Sequence, residues 1–378
     1  MKLTGAIIQG LSDCFIIWKQ ELQQVFKDIG VILMFIVVPV VYPILYGLIY
    51  NTEVMRETPM VVVDESHSSL AREFVRKIDA TPDVQVFAYA SSLEEAREWV
   101  NRHKAYGILL IPSDFSQKIN RGEQAVTALY IDMSGMLYYK AILLATTEAG
   151  FDLGAKIQVQ QEAPIIYESV PFYNTQNGFA SFLLPAILIL IIQQTLLLGI
   201  GILVATTRER NQGRLIPEGS YYTGTFRIIF GKALTYLTIY VFVCFWMLMI
   251  VPHIFHIPQL THYSSLLLFN LPYLLACIFF AMVVATFIRG REMPMMLLVI
   301  TSVPLLFLSG ISWPVSAMPD FWRYFSYLFP STFGIQGFVK INSMGATLWE
   351  IAFEYRMLWL QTGVYFIIAY LIYRKQVK

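Results

Sequence analysis

FLLPAILILIIQQTLLLGIGILVATTRER, residues 182–210, carries no charged side chain from Phe182 to Thr207 and then closes on Arg208-Glu209-Arg210. A hydrocarbon core of roughly 30 Å is crossed by about 20 predominantly apolar residues in a helix, which satisfies its own backbone groups without water. The stretch therefore predicts a transmembrane span whose end the arginines mark. Working outward with the same ruler, runs near 29–50, 228–251, 265–287, 293–311 and 357–373 join the one at 179–205 to make six spans. The last is the shortest, and the fifth contains Pro304 and barely reaches the required length, so a re-entrant hairpin over about 305–335 stands as the alternative there. Composition agrees, with 56% of the 378 residues hydrophobic and 14% charged. A net charge of +1 offers no field for nucleic acid. The first apolar run follows a polar amphipathic stretch and lacks a small-residue cleavage site, so it is expected to stay in the membrane rather than leave as a signal peptide.

Lysine and arginine in short loops set orientation. Lys2, Lys19 and Lys27 precede the first span, and Arg208, Arg210, Arg214, Arg227 and Lys232 follow the second. Arg289 and Arg291 follow the fourth, and Arg374, Lys375 and Lys378 end the chain. These segments read as cytoplasmic, which puts both termini inside a cell membrane and the long 51–178 segment outside. That segment's own charges do not count against this, since long translocated segments escape the rule. Before the first span, Phe15, Trp18, Leu22, Val25 and Phe26 share one helical face, with Lys19, Glu21 and Gln23 turned away. This predicts an amphipathic helix over 1–28, lying on the cytoplasmic interface or against another subunit.

Within 51–178 the hydrophobic period changes to that of short strands: Met60-Val61-Val62-Val63-Asp64, Val84-Gln85-Val86-Phe87, Tyr106 to Ile111 and Val126 to Ile131. Ser68–Ile78, Leu93–His103 and Asp114–Asn120 fit connecting helices, with Ser92 as a cap and Glu95 as its capping-box partner. A longer helix, about Met136 to Ala163, would return the chain toward the second span, and its Gly150 and Gly154 suggest a close helix crossing. Cys14, Cys244 and Cys277 all lie outside this segment, so its own core must hold it. The fold class is thus an α-helical polytopic membrane protein of about six transmembrane helices with an inserted extracytoplasmic α/β domain. Residues 179–378 carry spans two to six, a cytoplasmic loop at 206–230 and an external hairpin at 312–335.

Gradient-driven transporters place ionisable residues inside their spans, and these spans read as free of them. Their mid-span polar residues are neutral: Gln193, Gln194 and Thr195, then Thr235, Thr238, Thr301, Ser302, Gln361 and Thr362. Hydrogen bonding between helices accounts for most of these; Gln193 and Gln194 are the best candidates for a substrate pathway. A nucleotide site is missing as well, because Gly224 to Gly231-Lys232-Ala233 has the wrong spacing for a phosphate loop and lacks its Ser or Thr. No cofactor is expected in the chain. Intramembrane hydrolysis fails for want of a base, since no span carries a histidine to activate Ser309. His253, His256 and His262 lack the acidic or thiol partners of a metal shell. Asp64 and Asp132 end strands, where turn residues are common. Glu350 and Glu354 share a face before the last span and read as solvated. Uphill transport would therefore be driven by another chain acting on the 206–230 loop.

Several stretches together resemble the membrane subunits of ABC-type exporters that carry a large extracytoplasmic domain between their first two spans. They are Val62-Val63-Asp64-Glu65-Ser66-His67-Ser68, Ile111-Pro112-Ser113-Asp114-Phe115, Ile119-Asn120-Arg121-Gly122 and Tyr130-Ile131-Asp132. Arg208-Glu209-Arg210 with Gly213, Gly231-Lys232, Leu308 to Pro314, Met318-Pro319 and Pro330 complete the series. The resemblance implies a partner ATP-binding-cassette ATPase that binds the ATP, and a second copy or paralogue of the permease giving twelve spans. It implies export of drugs, lipids or other amphiphiles from within the membrane lipids, and an external domain that shields the exit or docks a periplasmic adaptor. Arg208, Glu209, Arg210 and Gly213 would belong to the segment that receives the ATPase stroke. The family commonly follows that glycine with Thr and Glu, whereas here Arg214 and Leu215 lead to Pro217. A membrane sensor or scaffold that presents its α/β domain to a ligand or protein is the competing reading.

Overall fold

The computed structural model describes residues 2–49, 56–132, 136–158, 179–216 and 224–377. They divide into two compact units, Met1–Asn51 with Gly178–Lys378, and Thr52–Asn177. The first unit opens with α1 (Lys2–Lys27) and α2 (Ile29–Ile49). Asp28 separates them because its carboxylate accepts the Gly30 N–H at 3.0 Å, satisfying a donor left free at the start of α2.

The inserted unit alternates strand and helix through β1 (Thr58–Asp64), α3 (Ser69–Asp79), β2 (Val84–Tyr89), α4 (Leu93–Asn101), β3 (Gly107–Ile111), α5 (Phe115–Asn120), β4 (Ala128–Ile131) and α6 (Met136–Gln158). The sheet order is β2-β1-β3-β4, with β1 parallel to both neighbours and β4 antiparallel to β3. Strand β1 is covered on both faces, which is why its apolar run is continuous rather than alternating. Met60 and Val62 pack with Phe74, Ile78 and Ile142 on one side, and Val61 and Val63 with Ala96 and Ile108 on the other. Ser68 and Ser92 cap α3 and α4 by accepting the Ala71 and Glu95 N–H groups. Glu95 does not close the box on Ser92 as expected; it accepts from the N–H and hydroxyl of Ser91 at 2.8 and 2.6 Å, one residue earlier. Asp64 takes a turn role, accepting the Ser66 and His67 N–H groups. The close crossing expected at Gly150 and Gly154 is not formed among the described residues: Phe74 lies 3.9 Å from a Cβ built on Gly150, and nothing lies within 4 Å of one on Gly154. Residues 159–163, expected to extend α6, lie outside the described residues.

The first unit resumes with α7 (Phe179–Arg210), α8 (Thr225–Ile254), α9 (Tyr263–Ala285), α10 (Met293–Leu308), α11 (Asp320–Ser326), α12 (Pro330–Met344) and α13 (Ala352–Val377). Among the described residues α2, α7, α8, α9 and α13 are long and apolar enough to cross a membrane. Helix α10 has 16 residues. At 1.5 Å per residue it rises about 24 Å, short of the core thickness. A turn and a second helix, α12, packed against α7, follow it. The chain turns at Gly310, whose φ is +90°, and α12 begins beside the middle of α7, where the Ser331 N–H donates to Gln193 Oε1 at 2.6 Å. From there α12 climbs past Gln336, which donates to the Ser309 carbonyl at 3.0 Å. It ends at the α8–α9 loop, where the Leu260 N–H donates to the Asn342 carbonyl at 2.9 Å. Among the described residues, then, five helices have spanning length, and the shorter α10 and α12 lie between the fourth and the fifth of them.

Helix α1 does not present the expected stripe. Asp13, Ile17, Glu21 and Val25, spaced four apart, are buried against α8, while Phe15 and Phe26 face outward. The reason is electrostatic. Arg227 pairs with Asp13, and Lys232 lies 2.9 Å from Glu21, so carboxylates that hydropathy assigns to water are drawn to the packed side. Lys232 is the eighth residue of α8 and only 3% exposed, so the spans are not free of ionisable side chains as the sequence suggests. Glu354 likewise is buried rather than solvated, paired with Lys340 at 2.6 Å.

Candidate functional site

The last turn of α7 ends the helix in a way its residues dictate. Gln212 and Gly213 take φ of 51° and +90°, and the Gly213 N–H returns to the Arg208 carbonyl at 2.8 Å, a left-handed stop that glycine accepts at little cost. Arg208 then points inward. Its guanidinium donates to the Thr286 carbonyl at 2.7 Å and to that of Ile288, just beyond the end of α9. A cation belongs there, because a helix carboxyl end carries unsatisfied carbonyls and partial negative charge. Arg208, Glu209, Gly213 and Arg289 line one open cleft of about 390 Å³, with Glu209 and Gly213 exposed. Arg210 faces a smaller pocket of about 110 Å³ with Gln24, Asp28, Thr206 and Asn211.

Asp28 lines the smaller pocket and ties helix ends together there. Beyond capping α2 it accepts from Thr206 Oγ1 at 3.1 Å and from Arg291 Nη2 at 2.5 Å, with its side chain 9% exposed. The ends of α2, α7, α9 and α10 are therefore joined by two polar ties, Arg208 to α9 and Asp28 to the other three. Leu215 and Ile216, where the family pattern breaks, are buried in the bundle, and the Leu215 N–H meets Gln376 Oε1 at 3.4 Å. Pro217 lies outside the described residues.

Five helices long enough to cross a membrane, the buried one of them ending in a charged cleft, and an α/β insertion after the first stand beside a match to a family profile. The profile described as ABC-2 family transporter protein matches residues 29–371. The chain belongs to the ABC-2 transporter family. No curated protein matches it. Membership makes the chain the membrane permease of an ABC transporter and implies association with an ABC ATPase subunit.

Away from the cleft, the two glutamines of the ABC-2 permease occupy different neighbourhoods. Gln193 is 1% exposed and uses its oxygen to cap α12 through Ser331; Gln194 is 4% exposed and donates to Thr301 Oγ1 of α10 at 3.3 Å; among the described residues Gln193 Nε2 and Gln194 Oε1 have no partner. Both amides thus hold α7 to α12 or α10, each by one edge. Several of the other mid-span polar residues also bond between elements: Thr235 to the Trp18 carbonyl, Gln361 to that of Tyr327 and Thr362 to that of Pro272. The ties of Asp28 and the burial of Lys232 against Glu21 are not visible in the sequence. A lone Asp before an apolar run is a cap signal, but its partners Thr206 and Arg291 lie 178 and 263 residues away.

Proposed function

We propose that the chain is the membrane subunit of an ATP-driven exporter for a drug, lipid or other amphiphile, with ATP bound and hydrolysed by a separate subunit. It would sit in the cell membrane with both termini cytoplasmic and the α/β unit outside, paired with a second copy or a paralogue. The observation that carries this reading is the tied cleft. Glu209, Arg210 and Gly213 stand at the surface where an ATPase would press, and Arg208 lies directly beneath them.

A push on this loop would not be absorbed locally, because Arg208 holds the carbonyls beyond α9 and Asp28 holds α2, α7 and α10. Closure of an ATPase pair would displace these ends together and favour a second arrangement of the bundle, which is how a differential contact becomes a conformational change. Pro185, Pro294 and Pro304 are the candidate hinges. The unpaired edges of Gln193 and Gln194 would become available to an amphiphile when α7 separates from α10 and α12.

Mild-detergent purification should bring an ATP-binding-cassette subunit with the chain, and vesicles holding the complex should transport only with ATP. Arg208→Ala should leave ATP hydrolysis in place while transport falls at least tenfold. Transport that persists with no ATPase present overturns the reading. The competing sensor reading draws support from a groove of about 870 Å³ in the inserted unit, floored by Phe74, Phe115 and Leu153 and rimmed by Arg121 and Glu123. Saturable ligand capture by the intact protein without any ATPase partner would favour it.

A further inference from the structure

Helix α8 leaves regular geometry at Trp246–Ile250, a π-helical turn of the kind frequent at functional positions. Beside it, α8 and α9 enclose a groove of about 460 Å³ walled by Leu237, Phe245, Leu248, Leu267 and Leu274. Among the described residues its lining is apolar but for Asn270 and the Cys244 thiol. The volume falls within the range of roughly 300–1,000 Å³ that small-molecule sites occupy. Asn270 is 9% exposed, and its side-chain oxygen finds no donor among the described residues. A partnerless carboxamide is costly in hydrocarbon, where no water relieves it.

We propose that this groove binds a neutral membrane amphiphile that carries a hydroxyl group within its hydrocarbon part. The class follows from three features of the groove. The walls bear no charge, so an ionic ligand would be left unpaired. Asn270 is four residues from the middle of the 23-residue α9, about 6 Å along the axis, which is deeper than phospholipid esters and headgroups reach in a core of roughly 30 Å. An unsubstituted acyl chain would therefore fill the groove and leave the amide unsatisfied. The Asn270 oxygen is itself enclosed, so the edge within reach of the groove is the amide N–H, and the hydroxyl oxygen accepts from it. The site depends on the chain's being embedded in a membrane and not on export.

The test places the full-length protein in nanodiscs containing equal amounts of stearoyl and 10-hydroxystearoyl phosphatidylcholine, and measures retained lipid by native mass spectrometry. One added hydrogen bond of about 1 kcal/mol corresponds to about fivefold enrichment of the hydroxylated lipid. Asn270→Leu should abolish the enrichment and keep the total retained lipid. Leu267→Trp, at a surface position that the core does not depend on, should fill the groove and reduce retention of both. Equal retention of the two lipids by the unaltered protein overturns the proposal, as does enrichment that survives Asn270→Leu. If Asn270→Leu does not fold, unchanged enrichment in Leu267→Trp overturns it. Leu267→Trp that separates a dimer without changing retained lipid overturns it in favour of a second copy covering the groove.

Discussion

Lys232 holds its amine 2.9 and 3.0 Å from the two oxygens of Glu21, and Tyr236 donates to the same carboxylate at 2.5 Å. Both charged side chains are at most 3% exposed. Removing one partner strands the other charge, so Glu21→Leu or Lys232→Met alone should cost about 3–5 kcal/mol, and the double substitution should recover most of it. Thermal unfolding of the four variants in detergent reads this directly; additive losses would show that the pair is not coupled. At Glu95, the hydroxyl and then the N–H of Ser91 hold the carboxyl below the usual carboxylate range. Because the folded value lies below the unfolded one, this contribution is present above about pH 4.3 and disappears as pH falls through the lower folded value. Amide protection at Ser91 should drop across that window, and Glu95→Gln should flatten the dependence. Arg208 was legible in the sequence as the charge that ends the second span, and Gly213 only through the resemblance to the exporter subunits. The pairing of Lys232 was not, since Glu21 is 211 residues away and each residue, taken alone, reads as solvent-facing.

Helices α1 and α8 cross where Gly231 sits. A Cβ there would come 2.8 Å from Ile17 and 3.0 Å from the Cys14 carbonyl oxygen. Gly231→Ala should therefore destabilise by about 1–3 kcal/mol, as overpacking does, and expose α1 to protease sooner than α8. Helix α12 depends on another element for its first turn, because Gln193 takes the place of a cap. Gln193→Leu leaves the Ser331 N–H buried without an acceptor and should cost about 1–3 kcal/mol, whereas Gln193→Glu, measured at a pH low enough to protonate it, keeps a carbonyl acceptor and should cost less. Equal unfolding midpoints for the two variants would sink this assignment. Pro304 and the short run at 293–311 already marked this region as irregular. The direction of the chain beyond Gly310 was hidden because it is fixed by contacts to α7 rather than by any periodicity of its own.

At the scale of the whole molecule, the two units were legible for different reasons. Long uncharged runs announce the membrane unit through length alone, and the α/β unit through the change of period at Met60 and the serines before α3 and α4. Sidedness rests on the arginines near 208–214 and 289–291. With the native cysteines replaced, an impermeant maleimide applied to intact cells should label Glu123→Cys and spare Glu209→Cys; the reverse pattern would invert the topology. Glu21 also bears on how such a protein is built. Helix α1 leaves the ribosome well before α8, so the carboxylate that neutralises Lys232 is already at hand when that span enters the bilayer. The amine can stay at the headgroups on its long side chain until α1 reaches it. Synthesis order and charge placement therefore agree: a positive charge made later meets a negative one made earlier, and the third crossing never has to carry an unmatched ion into the hydrocarbon.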